Sequence, residues 1–157
     1  MFIEKPIEGV VIRDLKKFKD TRGWLCELFR MDNLDEVFRP EMAYISISQA
    51  NIHRGPHEHS EQADFFCFLG PSNFKVYLWD NRKNSSTYQH KMVFVGGEDA
   101  PKSVLIPAGV VHAYKNIGGT PGMVVNFPNR LFAGRDRKDP VDEIRHEDNP
   151  DTIFRLD

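Results

Sequence analysis

RGPHEHSEQADFFCFLG (residues 54–70) and, further on, IPAGVVHAYKN (106–116) decide the fold of this chain. His57 and His59 stand two apart. A strand turns alternate side chains to opposite faces, so both imidazoles point the same way. Asp64 opens DFFCFLG, a short, aromatic, unbroken apolar run of the kind that forms a strand buried on both faces. A carboxylate beside Phe65 and Phe66 is costly to bury without a partner. In the second stretch a Pro107-x-Gly109 turn leads into VVHAY, which carries His112 and runs on to Asn116. His112 and the Asp64 carboxylate, from separate strands, can join the first two imidazoles at one point. Three histidines and an aspartate suit a borderline divalent ion: zinc first, with iron, manganese or nickel open. Singly, each residue has a plainer reading. A histidine in a strand is usually a surface or satisfied core residue, and that reading is taken for His53, His90 and His146.

Outward from these stretches the chain reads as strands. GVVIR and KKFK precede the turn DTRG and the segment WLCELF (24–29). AYISISQ (43–49) alternates strictly, with Tyr44, Ser46 and Ser48 on one face and Ile45 and Ile47 on the other. NFKVYLWD (73–80), STYQHKMVFV (86–95), KSVLIP (102–107) and GMVVNF (122–127) continue the pattern. NLDEVFRP (33–40) is the one helical candidate, capped by Asp32 or Asn33 and ended by Pro40. Many short strands separated by Gly, Pro and Asn predict an all-β sandwich or barrel with one short helix. The polar C-terminal stretch carries Ile144, Ile153 and Phe154, spaced as if to pack back on the body.

At 157 residues, 40% hydrophobic and 28% charged, the chain reads as one domain, 1–157, with one core. A net charge of −2 without a basic run gives no reason to expect nucleic acid or a membrane surface. No run of apolar residues is long enough to span a bilayer, and the N-terminal stretch does not read as a secretory leader. Cys26 and Cys67 lie in apolar segments and read as free thiols of a cytoplasmic protein.

Together the two opening stretches resemble the paired motifs of the cupin superfamily, HxHx4(E/D) ending in Gly70 and PxGxxHxxxN. The resemblance implies a double-stranded β-helix, or jelly roll, in which His57, His59, Asp64 and His112 are metal ligands. A longer resemblance covers most of the chain. KFKDTRGWLCELF, SISQANIHRGPH, YLWDNRKNSSTY and LIPAGVVHAY stand in the order of the dTDP-4-dehydrorhamnose 3,5-epimerase motifs, and EIRHEDNP is similar to that family's IRWDDP. The chain also resembles the zinc cupin domain of capsule-sugar reductase/epimerases, through the same histidine spacing and a terminal PDTxF.

These relatives imply a nucleotide-sugar epimerase or isomerase that removes a proton next to the C4 ketone of a 4-keto-6-deoxy sugar, in surface-polysaccharide or deoxysugar biosynthesis. By resemblance His57 is the base and Asp148 the carboxylate that orients it. Arg22, Glu27 and Arg54 match substrate contacts, with Trp24 beside Leu25 where a base-stacking aromatic is usual. Two positions depart from the family. Asp64 stands where its lysine stabilises the enolate, and the count of thirteen residues from His112 puts Val125 where its tyrosine should be. Asp64 would repel an enolate unless another cation compensates, and a metal on the four ligands would do so as a Lewis acid. His57 would then be occupied, leaving Tyr77, Tyr114 and Asp148 as candidate proton-transfer groups; Tyr77 is also placed with the substrate contacts and Tyr114 with the catalytic set. No organic cofactor is implied, and relatives are homodimers whose N-terminal strands complete the neighbour's site. Two other readings stay open: a metal-dependent cupin oxygenase, and a sugar-binding cupin without catalysis.

Overall fold

The computed structural model describes residues 1–34 and 38–157. Within them lie thirteen strands and one 3-10 turn at Arg135–Arg137. The helix expected over 33–40 centres on residues 35–37, outside the described residues.

Two sheets face each other. One runs β1 (Ile3–Glu4), β9 (His90–Gly97), β8 (Asn73–Asp80), β11 (Val110–Asn116), β6 (His53–Glu58), β13 (Ile144–Arg145). The other runs β2 (Val11–Asp14), β10 (Lys102–Ile106), β7 (Asp64–Phe68), β12 (Gly122–Asn126), β5 (Tyr44–Ser48). Each sheet takes strands from distant parts of the chain, as a jelly roll requires. A separate hairpin, β3 (Lys17–Asp20) and β4 (Gly23–Cys26), stands off this body with Phe18, Trp24 and Leu25 exposed.

The sandwich interior follows from period-two alternation. Phe74, Val76 and Leu78 of β8 meet Phe66 and Phe68 of β7, Val104 and Ile106 of β10, and Val124 of β12. Burying each of these large side chains contributes roughly 1.5–3 kcal/mol. All five residues of β7 are buried, as its unbroken apolar run predicts. Its second face, Phe65 and Cys67, packs under Phe29, Phe38 and Phe127, and Phe29 meets Phe127 edge-on at 5.0 Å between ring centres. Cys67 and the half-buried Cys26 are both free thiols.

Tyr77 and Trp79 alternate to the outer face of β8, where Val111 and Ala113 of β11 join them. The C-terminal segment covers that face. Phe154 is buried there against Trp79, Phe2 and His146. Ile144 and Ile153 are exposed, so Phe154 alone of the three expected apolar residues anchors the tail. Removing the anchor tests this. Phe154→Ala is expected to lower unfolding free energy by about 3 kcal/mol, read from urea denaturation, and to expose the β13 amides to hydrogen exchange.

Candidate active site

β6 and β11 are neighbours, and their register sets His57 directly across from His112. The ladder slips between His112 and Tyr114, beside Gly55. Gly55 has a φ of +77°, and a Cβ there would lie 2.5 Å from the His112 carbonyl oxygen. Only glycine allows the two strands to approach this closely, which brings the imidazoles together. One ring nitrogen from each of His57, His59 and His112 lies within 4.8 Å of the others.

Asp64 enters from the opposite sheet, at the start of β7, and is buried. Its Oδ2 is 3.2 Å from His59 Nε2 and 3.5 Å from His112 Nε2. Its Oδ1 accepts from the side-chain amides of Gln62 (2.9 Å) and Asn126 (2.7 Å). A buried carboxylate needs this degree of compensation.

The ring nitrogens are not equivalent. His112 Nδ1 faces the Val110 carbonyl at 3.1 Å, which places its proton there. Its buried Nε2 is then a bare lone pair with no hydrogen-bond partner among the described residues. Burial holds His112 below the usual imidazole range, although the charge of Asp64 works the other way. In His57, burial and the neighbouring His112 and His59 push the pKa down to about 2, so the ring is neutral. Glu147 Oε1 lies 3.8 Å from His57 Nδ1. Burial also disfavours charge on His59, but the hydrogen bond and charge of Asp64, with the Asp142 carbonyl on Nδ1, outweigh it and raise its pKa above 6.5. Asp64 itself is penalised by burial yet held down to about 2, chiefly by its His59 hydrogen bond and the charges of His112 and His59.

His57, His59, Gln62 and Glu147 line one side of a cavity of about 1050 Å³, with Asp64 and His112 buried behind them. The β6–β13 edge of one sheet, β5 of the opposite sheet and residues from the 128–143 segment contribute to its lining. Arg54, Arg130, Arg135, Arg137 and Arg145 all reach the cavity. Arg130 and Arg145 pair with Glu61 and Glu143, while Arg135 and Arg137 make no side-chain hydrogen bond or ion pair among the described residues. A ring of guanidinium groups suits an anionic ligand such as a diphosphate.

The structure unites His57, His59, Asp64 and His112, and places Arg54 and Tyr114 with His57 and His59 on the cavity wall. Tyr114 bonds Ser46 Oγ at 2.7 Å. Four expected residues lie elsewhere. Tyr77 points outward, because Val76 and Leu78 on either side point in; its hydroxyl donates to the Asp157 carbonyl. Asp148 is exposed and outside the cavity lining. The β13 register sets Arg145 against His57, and the amides of His146 and Glu147 both donate to the Pro56 carbonyl, so Glu147 is the carboxylate delivered. Arg22 is paired with Asp20 on the outlying hairpin, and Glu27 lies in a separate shallow groove. His53, read from sequence as a surface or satisfied core residue, lines the cavity. Sequence reasoning missed Gln62, Asn126 and Glu147; Tyr44 lines the cavity as well. The alternation of AYISISQ already put Tyr44 on the Ser46 face, and that was the available signal.

Fold and site together define a jelly-roll protein with a histidine-centred cavity suited to an anionic ligand. Residues 4–126 match the dTDP-4-dehydrorhamnose 3,5-epimerase family, and the chain belongs to it. It is 36% identical to a probable low-salt glycan biosynthesis epimerase, Agl13, of Haloferax volcanii, over 87% of this chain and 86% of that protein. It is 35% identical to the spore coat polysaccharide biosynthesis protein SpsL of Bacillus subtilis, over 94% and 93% respectively. The fold matches a dTDP sugar isomerase of Desulfovibrio desulfuricans with a TM-score of 0.75 at 20% identity, covering 88% of this chain and 84% of that one.

The His59–Asp64 pair gives a direct titration test. By NMR His59 is expected to titrate above 6.5 in the metal-free protein, and Asp64→Asn to lower that value, since the Asp64 hydrogen bond and charge are lost and only the Asp142 contacts still oppose burial. The sign for stability follows. The His59 contribution is present below 6.5 and lost as pH rises through the raised folded value; the Asp64 contribution is present above 3.8 and lost as pH falls toward about 2. Urea midpoints of Asp64→Asn are therefore expected to be flatter than wild type between pH 3.8 and about 2.

Proposed function

We propose that the protein is a nucleotide-sugar epimerase that acts next to the C4 ketone of a 4-keto-6-deoxy sugar, in surface-polysaccharide or deoxysugar biosynthesis. One observation carries this reading. A neutral histidine, His57, stands in an arginine-rimmed cavity with the Glu147 carboxylate behind its far nitrogen. A carbon acid next to a ketone needs a base within reach and positive charge near the developing enolate oxygen. His57 takes the proton, and the nearby Glu147 carboxylate offsets the charge that His57 acquires. His59, whose proton affinity Asp64 raises, has its ring centre 5.9 Å from that of His57. Asp64 thus fits the position of the absent lysine indirectly, by favouring charge on an imidazole. The arginines around the mouth suit the diphosphate. The relatives' involvement in glycan and spore coat polysaccharide biosynthesis favours this reading over an oxygenase or a sugar-binding protein.

In this reading the enzyme works in the cytoplasm as a homodimer. The hairpin supports a dimer, since Arg22 and the exposed Trp24 and Leu25 reach no part of their own protomer's cavity. In a partner's site they would meet the substrate. Among the described residues no helix is long and apolar enough to cross a membrane.

A second reading places a divalent ion on His57, His59, His112 and Asp64. The clustered ring nitrogens and the unpartnered, buried Nε2 of His112 favour it. An ion there supplies Lewis-acid polarisation of the C4 ketone. His57 is then no longer a free base, so the two readings exclude each other. Metal analysis of untagged protein separates them: a stoichiometric ion that is lost in His112→Ala supports the metal site, and substoichiometric metal after supplementation ends it.

For the reaction itself, 4-keto-6-deoxy sugars carried on dTDP, UDP, GDP and CDP are incubated with enzyme in D2O. Deuterium is expected at C3 or C5 for one of them, and His57→Asn is expected to slow its entry about 10²–10⁴-fold. Absence of exchange with every sugar would defeat the epimerase reading.

A further inference from the structure

Inverting a carbon by proton transfer needs two groups, because the proton that leaves one face must be replaced on the other. His57 accounts for one face. The donor must carry a proton at neutral pH and approach from the wall facing His57. In the count from His112 the family's tyrosine position falls on Val125. Val125 cannot serve even by shape, since it packs with Phe65 and Phe127 on the far side of β12. The inward residues of that strand are Val124 and Asn126.

Asn126 pairs across the ladder with Tyr44 on β5, the edge strand of the sheet facing His57. Tyr44 lines the cavity, and so does Ser46 two residues on. The hydrogen bonds fix the direction of the phenol. Asn126 Nδ2 lies 2.7 Å from Asp64 Oδ1 and 2.9 Å from the Tyr44 hydroxyl. A carboxylate accepts only, so the amide must present its NH2 end, and both N–H groups are thereby engaged. Tyr44 is thus an acceptor toward Asn126, and its own proton is not used by any described residue. The other phenol in the cavity, Tyr114, differs on both counts. It rises from β11, on the same sheet as His57, and its hydroxyl is paired with Ser46.

We propose that Tyr44 is the proton donor that completes inversion, delivering its phenolic proton to the face of the enolate opposite His57. This rests on the epimerase reading. The step balances without an oxidant or reductant. The C–H bond breaks and its proton goes to His57, while the electron pair moves into the C4 enolate. The enolate carbon then takes the proton of the Tyr44 O–H bond. Histidinium and phenolate are left, and both reset by exchange with solvent.

The test separates exchange from inversion. The wild-type enzyme and Tyr44→Phe are incubated in D2O with the 4-keto-6-deoxy nucleotide sugar that the wild type labels. In Tyr44→Phe, deuterium is expected to enter the unepimerised sugar at close to the wild-type rate, because His57 still removes and returns a proton on its own face. Formation of the epimer is expected to fall by about 10²-fold or more. Normal inversion by Tyr44→Phe overturns the assignment while leaving the epimerase reading intact. Loss of exchange together with inversion also overturns it, since Tyr44 then acts before proton removal. So does the exchange-without-inversion pattern appearing in Tyr114→Phe instead. If Tyr44→Phe does not fold, 3-fluorotyrosine at position 44 keeps the shape and makes the phenol more acidic. The alkaline limit of inversion is then expected to move to lower pH, and an unmoved limit overturns the proposal. If the wild type labels no keto sugar, the epimerase reading falls and this inference falls with it.

Discussion

The buried carboxylate of Asp64 ties the site together. It sits at the start of the central strand of the five-stranded sheet and reaches across to imidazoles supported by the six-stranded one. A lone charge at that depth would cost far more than any single contact returns. The surroundings therefore have to be arranged around it: two amides on one oxygen, two imidazoles facing the other. Each partner is then fixed in turn. Gln62 belongs to a loop whose backbone amides at Ser60, Glu61 and Gln62 all donate to Asp142. Asn126 is turned with its NH2 end toward the carboxylate, and this decides what Tyr44 is able to do.

The same carboxylate explains how a site can keep its chemistry after exchanging a cation for an anion. A lysine in this position would bring positive charge directly. An aspartate instead raises the proton affinity of His59, which favours charge on an imidazole one step away. The set that accomplishes this is also a set that can hold a metal ion, because both tasks require lone pairs and a carboxylate converging on one point. His112, with Nδ1 fixed by the Val110 carbonyl and Nε2 bare, serves either task.

The parts of the fold and site legible in the sequence were those governed by local periodicity or by motif spacing. The unbroken run of β7, the alternation of β5 and the pairing of His57 with His59 all follow from period two. The convergence of His112 and Asp64 followed from motif spacing, and both stand where that spacing put them. What stayed hidden depends on contacts between distant segments. Glu147, not Asp148, faces His57 because the Pro56 carbonyl captures two successive amides, a backbone detail that a residue count cannot supply. Tyr77 was misplaced for a simpler reason. It lies in an alternating strand with large residues on both faces, and only the docking of Phe154 shows which face is outside. Arg22 and Glu27 were assigned through a motif that runs along the β3–β4 hairpin and just past it, apart from the cavity.

Counting thirteen residues from His112 locates a position in the chain, but proton delivery is a requirement on direction. Along β12 neighbouring residues face opposite sides of the sheet, so Val125 turns away from the cavity while Asn126 turns into it. A phenol restored at Val125 would therefore enter the Phe65–Phe127 cluster rather than the site. The ladder offers another route. Antiparallel pairing sets Tyr44 opposite Asn126 on the same face of the sheet, and a side chain there shares the inward direction of its partner. A donor can thus move one strand over without changing the wall from which it acts. That move constrains what the old strand carries. The inward residue on β12 must not take the proton of the phenol, and an amide whose NH2 end is pinned by Asp64 meets that condition. Glutamate or aspartate in place of Asn126 would both repel Asp64 and accept from Tyr44, so charge at Asp64 and a free proton at Tyr44 require the same amide between them.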